Sequence, residues 1–353
     1  MEITTIGLDL AKNVFQVHGV DDEGAVVIRR QLRRSRVLPF FEKLPPCLIG
    51  IEACATAHHW ARQLIGLGHR VKLMPPHYVK AYVKRNKNDA ADAAAICEAV
   101  TRPSMRFVAV KTMEQQSVLM VHRTRELLVR QRTMLVNAIR AHMAEYGIVA
   151  PVGIPRVKEL FAVIADGDDE RLPAIARACL EGLARQFMSL HEEIAVAERR
   201  IHAWHRSNQA SQRLETIPGI GPIIASALTA SISDPEVFKN GRELAAWIGL
   251  VPRQNSTGGK QRMGRISKQG DQYLRWLLVA GAMSVIRHGR KTDFEKNPWL
   301  GELVRQKPTK VAAVALANKI ARTAWAVLVT GEPYRQPAPA EAQSAAKATL
   351  LAG

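Results

Sequence analysis

Cysteine is scarce in this chain and never paired in spacing. Cys47, Cys54, Cys97 and Cys179 show no CxxC arrangement, which excludes a zinc ribbon and a disulfide framework and fits a reducing cytoplasm. Aromatic residues make up 5% of the chain, too few for base stacking to serve as the main binding surface. No run of about eighteen apolar residues occurs, and the start "MEITTIGLDLAK" lacks the basic, apolar and small-residue layout of a signal peptide, so a soluble cytoplasmic chain with no membrane partner is expected. Acids are also in short supply. Against 50 Lys and Arg stand 32 Asp and Glu, a formal charge of +18, with a pI near 10.1. Counterion release makes such a surface bind phosphate backbones, so nucleic acid is the first candidate partner.

What is present is ordered along the 353 residues, a length that accommodates two or three domains. "ITTIGLDL" reads as a strand ending near Asp9, "VFQVHGV" as a second strand before the turn "DDEG", and "AVVIRR" as a third that completes an antiparallel meander. A charged helical stretch follows. "CLIGIEA" then has the apolar continuity of a buried strand and ends on Glu52, and a helix over 56–67 leads to the strand "RVKLM". Strands first and alternating elements afterwards predict an α/β domain around a mixed sheet over residues 1–105.

From 106 to 208 strand signals vanish. Val121, Leu128 and Leu135 recur every seven residues on a helix that also carries Arg123, Arg125, Arg130, Arg132 and Arg140. Further on, Leu180, Leu183, Phe187, Leu190, Ile194, Ala197, Ile201 and Trp204 alternate spacings of three and four, the pattern of a coiled-coil seam. An amphipathic helix lying on its own domain has the same pattern. Pro151, Pro155 and "DGDDE" mark a loop between two helical arms. The segment 209–330 opens on "LETIPGIGPIIASALTASI", a helix-hairpin-helix whose Gly219 and Gly221 amides could approach a phosphate closely, or an αα-turn with no ligand. Residues 331–353 are Pro- and Ala-rich without a core pattern and read as a disordered tail.

Two places carry chemistry. In "NKNDAADAAAICEAV", residues 86–100, Asp89 and Asp92 fall on one face of an alanine-rich helix, where like charges repel unless a cation sits between them. Alternatively Asp89 caps the helix and Asp92 is a solvated first-turn acid. Asp9 and Glu52 end strands, and four carboxylates at termini that can converge beside one sheet suit a hard cation such as magnesium, as an RNase H-like nuclease requires. The second place is "GLVPRQNSTGGKQRMGRISKQGD", where Ser256 and Thr257 lie among Arg253, Lys260, Arg262, Arg265 and Lys268. A hydroxyl there could attack a phosphodiester held by the cations, or merely donate a hydrogen bond in a phosphate-binding loop.

"IGLDLAKNVFQVHGVD", "GIEACATAHHWA", "NKNDAADAAAICEAV", "TIPGIGPIIASAL" and "GLVPRQNSTGGKQRMGRISKQGD", in this order, resemble the DEDD transposases of bacterial insertion sequences. That family is related to Piv-type DNA invertases and has members guided by a bridge RNA. Over residues 1 to about 330 the resemblance implies a RuvC-like domain with Asp9, Glu52, Asp89 and Asp92 as a tetrad for Mg2+ or Mn2+. It also implies a coiled-coil linker for a homodimer or tetramer, and a helical transposase domain whose loop supplies a serine nucleophile. Ser256 is taken as that serine; other members place theirs directly before the glycine, which aligns with Thr257. Ala55 stands where a glycine is common. The implied activity is DNA strand cleavage and exchange on element ends and target, with a guide RNA. A Holliday-junction nuclease using metal-activated water is the alternative enzyme, and a nucleic-acid-binding regulator the alternative without catalysis.

Overall fold

The computed structural model describes residues 2–83, 89–255, 257, 260, 262–289, 294–295 and 297–335. Contacts divide it into two compact units, Met1–Gln115 with Ile232–Val237 and Gln116–Ser231 with Phe238–Gly353.

The first unit is built on five strands, β1 (Thr5–Asp9), β2 (Val14–Val20), β3 (Val26–Arg33), β4 (Leu48–Glu52) and β5 (Arg70–Met74), in the order β3-β2-β1-β4-β5. β1, β2 and β3 form the expected antiparallel meander, whereas β4 is parallel to β1 and β5 to β4. The apolar continuity of β1 and β4 follows from their place at the sheet centre, covered on both faces. One face receives α1 (Val37–Phe41) and α2 (Ala57–Gly66). On α2 the buried positions Ala57, Trp60, Ala61 and Leu64 follow helical spacing, and Trp60 meets Phe15 edge to face at 5.0 Å. Complete burial of Leu64 contributes about 2 kcal/mol. On the other face α3 (Pro76–Val79) and α4 (Asp89–Val100) enclose Leu48, Met74, Val79, Ala95, Ile96 and Val100. Burial pushes the Cys47 and Cys97 thiols up to about 11, so neither is a reactive thiolate.

The second unit is largely helical. Its long helices α5 (Met113–Ala144) and α7 (Ala174–Ser207) are joined through α6 (Val157–Ala165). The two run antiparallel: Arg125 donates to Glu198 at 2.6 Å, Arg132 lies 3.3 Å from the His191 ring, Val136 shares a cluster with Phe187, and Met143 shares one with Leu180. The seam on α7 is therefore covered from within the chain. Leu180, Phe187, Ile194, Ala197 and Ile201 are buried, and Leu183, Leu190 and Trp204 half-buried. The physical reason is that Val136, Ile139 and Met143 of α5 pack with Leu180 and Phe187, while α7 also packs on the helix Pro222–Ser231.

The remaining helices are α8 (Gln209–Glu215), α9 (Pro222–Ser231), α10 (Gly241–Ile248), α11 (Gln272–His288), α12 (Pro298–Gln306) and α13 (Thr309–Thr330), with a two-stranded ribbon of β6 (Pro252–Gln254) and β7 (Met263–Ile266) between α10 and α11. By length and composition α13 is apolar enough to cross a bilayer, the one such helix among the described residues. Its Ala312, Ala313, Leu316, Ala317, Ile320 and Ala324 are buried, and it packs on α10 and α11, small residues allowing the close approach. The tail expected from residue 331 begins with an ordered stretch, where the Tyr334 amide donates to Thr216 Oγ1 at 2.8 Å. Residues 336–353 lie outside the described residues.

Candidate functional site

The register of β1 and β4 pairs Leu8 with Ile51, so the next residues, Asp9 and Glu52, emerge side by side at the same end of two parallel strands. One step earlier, Gly7 pairs with Gly50. These glycines make a slot for α4. A Cβ on Gly7 would stand 2.1 Å from the Ala93 carbonyl oxygen, and one on Gly50 would stand 2.8 Å from Val100 Cβ. Lying flush on the sheet, α4 brings Asp89 and Asp92 in its first turn towards the strand ends.

Electrostatics registers the gathering. The half-buried Asp9 carboxyl is raised to about 6, first by burial and then by Asp92, Asp89 and Glu52, against a lowering hydrogen bond from the Leu10 amide. Cys54, exposed beside the same acids, is raised by burial and by Glu52 and Asp9. Four mutually repelling carboxylates are a donor set that fits a hard divalent cation. They do not close on one point: among the described residues no three His, Cys, Asp or Glu side chains are placed to hold a single ion. As acids in the first turn, Asp89 and Asp92 also complement the helix dipole.

The segment expected to be a glycine-rich loop is a hairpin. Arg253 sits in β6 and donates to the Ser267 carbonyl at 3.1 Å, Asn255 donates its amide to Arg262, and Thr257 pairs with Lys260. Arg253, Lys260, Arg262, Arg265 and Lys268 are exposed, with no ion pair among the described residues. Lys268 takes a left-handed φ of 55°, a strained setting for a residue with a side chain. Ser256 lies outside the described residues. In the turn between α8 and α9, Gly219 has φ of 90° and a Cβ there would meet Val285 Cγ2 at 2.9 Å, so it serves packing against α11. Gly221 has open space where a Cβ would stand.

One cluster escaped the sequence reading. His122 on α5, fully buried, lies 3.0 Å from the Tyr273 hydroxyl and 3.1 Å from Ser226 Oγ, which itself donates to the Pro222 carbonyl at 2.6 Å. With Ser226 so committed, Nε2–H donates to it and Nδ1 accepts from Tyr273. Arg123 lies over the Tyr273 ring at 5.0 Å and pairs at 2.8 Å with Asp271, which caps α11 by accepting from Leu274. The helix that follows the cationic hairpin is thus tied to the long arm. The partners stand 104 and 151 residues from His122, and no local pattern reveals them.

A family model for the DEDD transposases of IS110 type matches residues 6–148, and one described as the IS116/IS110/IS902 transposase family matches residues 211–297. The chain is 51% identical to the "Probable family 20 transposase" of Pseudomonas aeruginosa, over 95% of this chain and 99% of that one. It is 40% identical to the "Transposase for insertion sequence element IS1328" of Yersinia enterocolitica, over 94% of this chain and 98% of that protein. More distantly it is 23% identical to the "Pilin gene-inverting protein" of Moraxella bovis, over 78% and 77% of the two chains.

Proposed function

Because the chain belongs to the IS110/IS116 family of insertion-sequence transposases, we propose that this DNA transposase mobilises its element through a serine nucleophile assisted by a carboxylate metal site. The observation that carries the reading is Asp9, its carboxyl raised to about 6 among Asp92, Asp89 and Glu52 in a chain of formal charge +18. On a surface otherwise built to attract anions, four acids gathered at one end of the sheet favour a held cation. The sheet order β3-β2-β1-β4-β5, with acids at the ends of β1 and β4, supports an RNase H-like, RuvC-like reading of the first unit.

Asp9, Glu52, Asp89 and Asp92 would hold Mg2+ or Mn2+, which supplies charge neutralisation at a reacting phosphate. Ser256 Oγ forms the bond to phosphorus and the sugar oxygen leaves, giving a covalent protein–DNA intermediate before strand exchange. Arg253, Lys260, Arg262, Arg265 and Lys268 grip the phosphodiester, and Gly221 at the helix-hairpin-helix turn admits a neighbouring phosphate. Contacts of this kind position a backbone without reading bases, which supports site choice by pairing with a guide RNA. For association between copies, the outward face of α5 takes over from the α7 seam: Met120, Leu127 and Met134 recur every seven residues, each at least half exposed, and a second copy would cover them.

The test is a denaturing gel for protein attached to DNA, run with guide RNA and target. Wild-type adduct that vanishes in Ser256→Ala and survives in Thr257→Ala supports this reading. The reverse moves the nucleophile to Thr257, and metal-dependent nicks without any adduct replace it with a junction nuclease.

A further inference from the structure

Between the turn after β1 and the end of β3 lies an open surface cavity of about 480 Å3, lined by Asn13, Val14, Arg33, Arg34 and Ser35 and walled largely by their apolar atoms. Its walls are held together, since Val14 pairs with Arg33 and the Arg34 amide donates to the Asn13 carbonyl at 2.9 Å. The Arg34 guanidinium is fixed as well. It lies over the Trp60 ring at 5.1 Å and the Phe15 ring at 5.9 Å, with Nη1 3.4 Å from the Lys12 carbonyl oxygen. A stacked guanidinium keeps its in-plane N–H groups for an anion and has little rotamer freedom left to lose when one binds.

The cavity end of the β2–β3 hairpin is cationic: residues 10–20 and 25–41 contain Lys12, Arg29, Arg30, Arg33, Arg34 and Arg36 and no Asp or Glu, while Asp21, Asp22 and Glu23 lie in the turn at the hairpin's opposite end. The five arginines are exposed, and none forms an ion pair among the described residues. Such mutual repulsion is offset by an external polyanion, and a cavity offering guanidinium, hydroxyl and amide donors suits a tetrahedral oxyanion.

We propose that this cavity seats a backbone phosphate of the DNA strand that runs on to the acid face, with Arg34 as the fixed contact, Arg33, Ser35 and Asn13 as further donors, and Arg29, Arg30 and Arg36 along its flank. DNA is chosen because the cavity shares a turn with the acid face. Asn13 follows Asp9 by four residues, a Cα separation of at most ~14 Å, or about four base rises along one strand. The assignment rests on the reading that DNA reacts at the acid face and not on the role of Ser256; binding measured in EDTA scores the cavity alone, so the assignment can fail while that reading stands.

The experiment is fluorescence anisotropy of the full chain with a labelled DNA oligonucleotide, and separately with RNA of the same sequence, in EDTA over a salt series. Arg33→Gln/Arg34→Gln should weaken DNA binding about tenfold and flatten the logarithmic salt slope by about two. Removing Arg34 also removes its stacking on Trp60, so Ser35→Glu is the second variant. It leaves that contact intact and should weaken DNA binding at least as much. Wild-type DNA affinity and slope in Ser35→Glu with an unchanged thermal melt overturns the proposal, as does a loss confined to RNA.

Discussion

Replacing His122 by Gln should cost markedly less stability at acid pH than at neutral pH. Burial, and then Arg125 and Arg123, lower the His122 pKa from the ordinary 6.5 to about 4. The unfolded chain therefore takes up a proton on this ring below about 6.5, while the folded chain stays neutral down to about 4. Stability linked to the group is complete above the upper value and drains away as pH falls through the window, at up to ~1.4 kcal/mol per pH unit. Between pH 7 and about pH 5 the wild type loses roughly 2 kcal/mol from His122 alone. A Gln has no such proton to bind. At neutral pH it should cost about 1–3 kcal/mol, because the Tyr273 hydroxyl and Ser226 lose a buried partner. At about pH 5 that cost should shrink by roughly 2 kcal/mol. Urea denaturation of both proteins at the two pH values, followed by circular dichroism, measures the difference. The lowered His18 and His58 titrate alike in both proteins and cancel. An equal cost at the two pH values, within ~0.5 kcal/mol, refutes a neutral buried imidazole.

Three further outcomes are expected. Asp9→Asn should abolish transposition in a plasmid assay while DNA affinity in EDTA stays within a few-fold of wild type, since it removes a ligand without touching the cations; normal transposition sinks the metal-site reading. Gly7→Ala should lower stability by about 1–3 kcal/mol or more through overpacking against the Ala93 carbonyl, read as a drop in the melting temperature of the first unit. Ile194→Lys should destabilise the chain, because its seam position is buried from within, whereas Leu127→Lys should lower the mass seen by light scattering without lowering the melt; the opposite pairing would return the copy-to-copy contact to α7.

Legibility in the sequence followed the range of each interaction. The strand "RVKLM" coincides with β5, and "VFQVHGV" with β2, because period and composition are local properties. Asp9 and Glu52 were readable as strand-end acids for the same reason. What brings Asp89 and Asp92 to them was not, since Gly7 and Gly50 look like weak points in strands until α4 is seen lying on them. The seam from Leu180 to Trp204 had its period read correctly, yet a period of three and four does not say whose helix covers it. The ribbon β6–β7 was hidden because its strands are short and mostly exposed, with no alternation to mark them. Arg33 and Arg34 left a signal that went unread, a stretch of five arginines with no acid.

β3 is the outermost strand of its sheet, and an outermost strand offers unpaired amides and carbonyls to any other strand that drifts past. At the opposite margin, Val108 bridges to Leu73 of β5 and occupies part of the rim. β3 has instead the exposed guanidinium groups of Arg29, Arg30 and Arg33, which keep a second copy of the same strand at a distance by like-charge repulsion. The arginines proposed to hold DNA would thus also keep the free protein from self-stacking, and neutralising them should reduce solubility along with affinity.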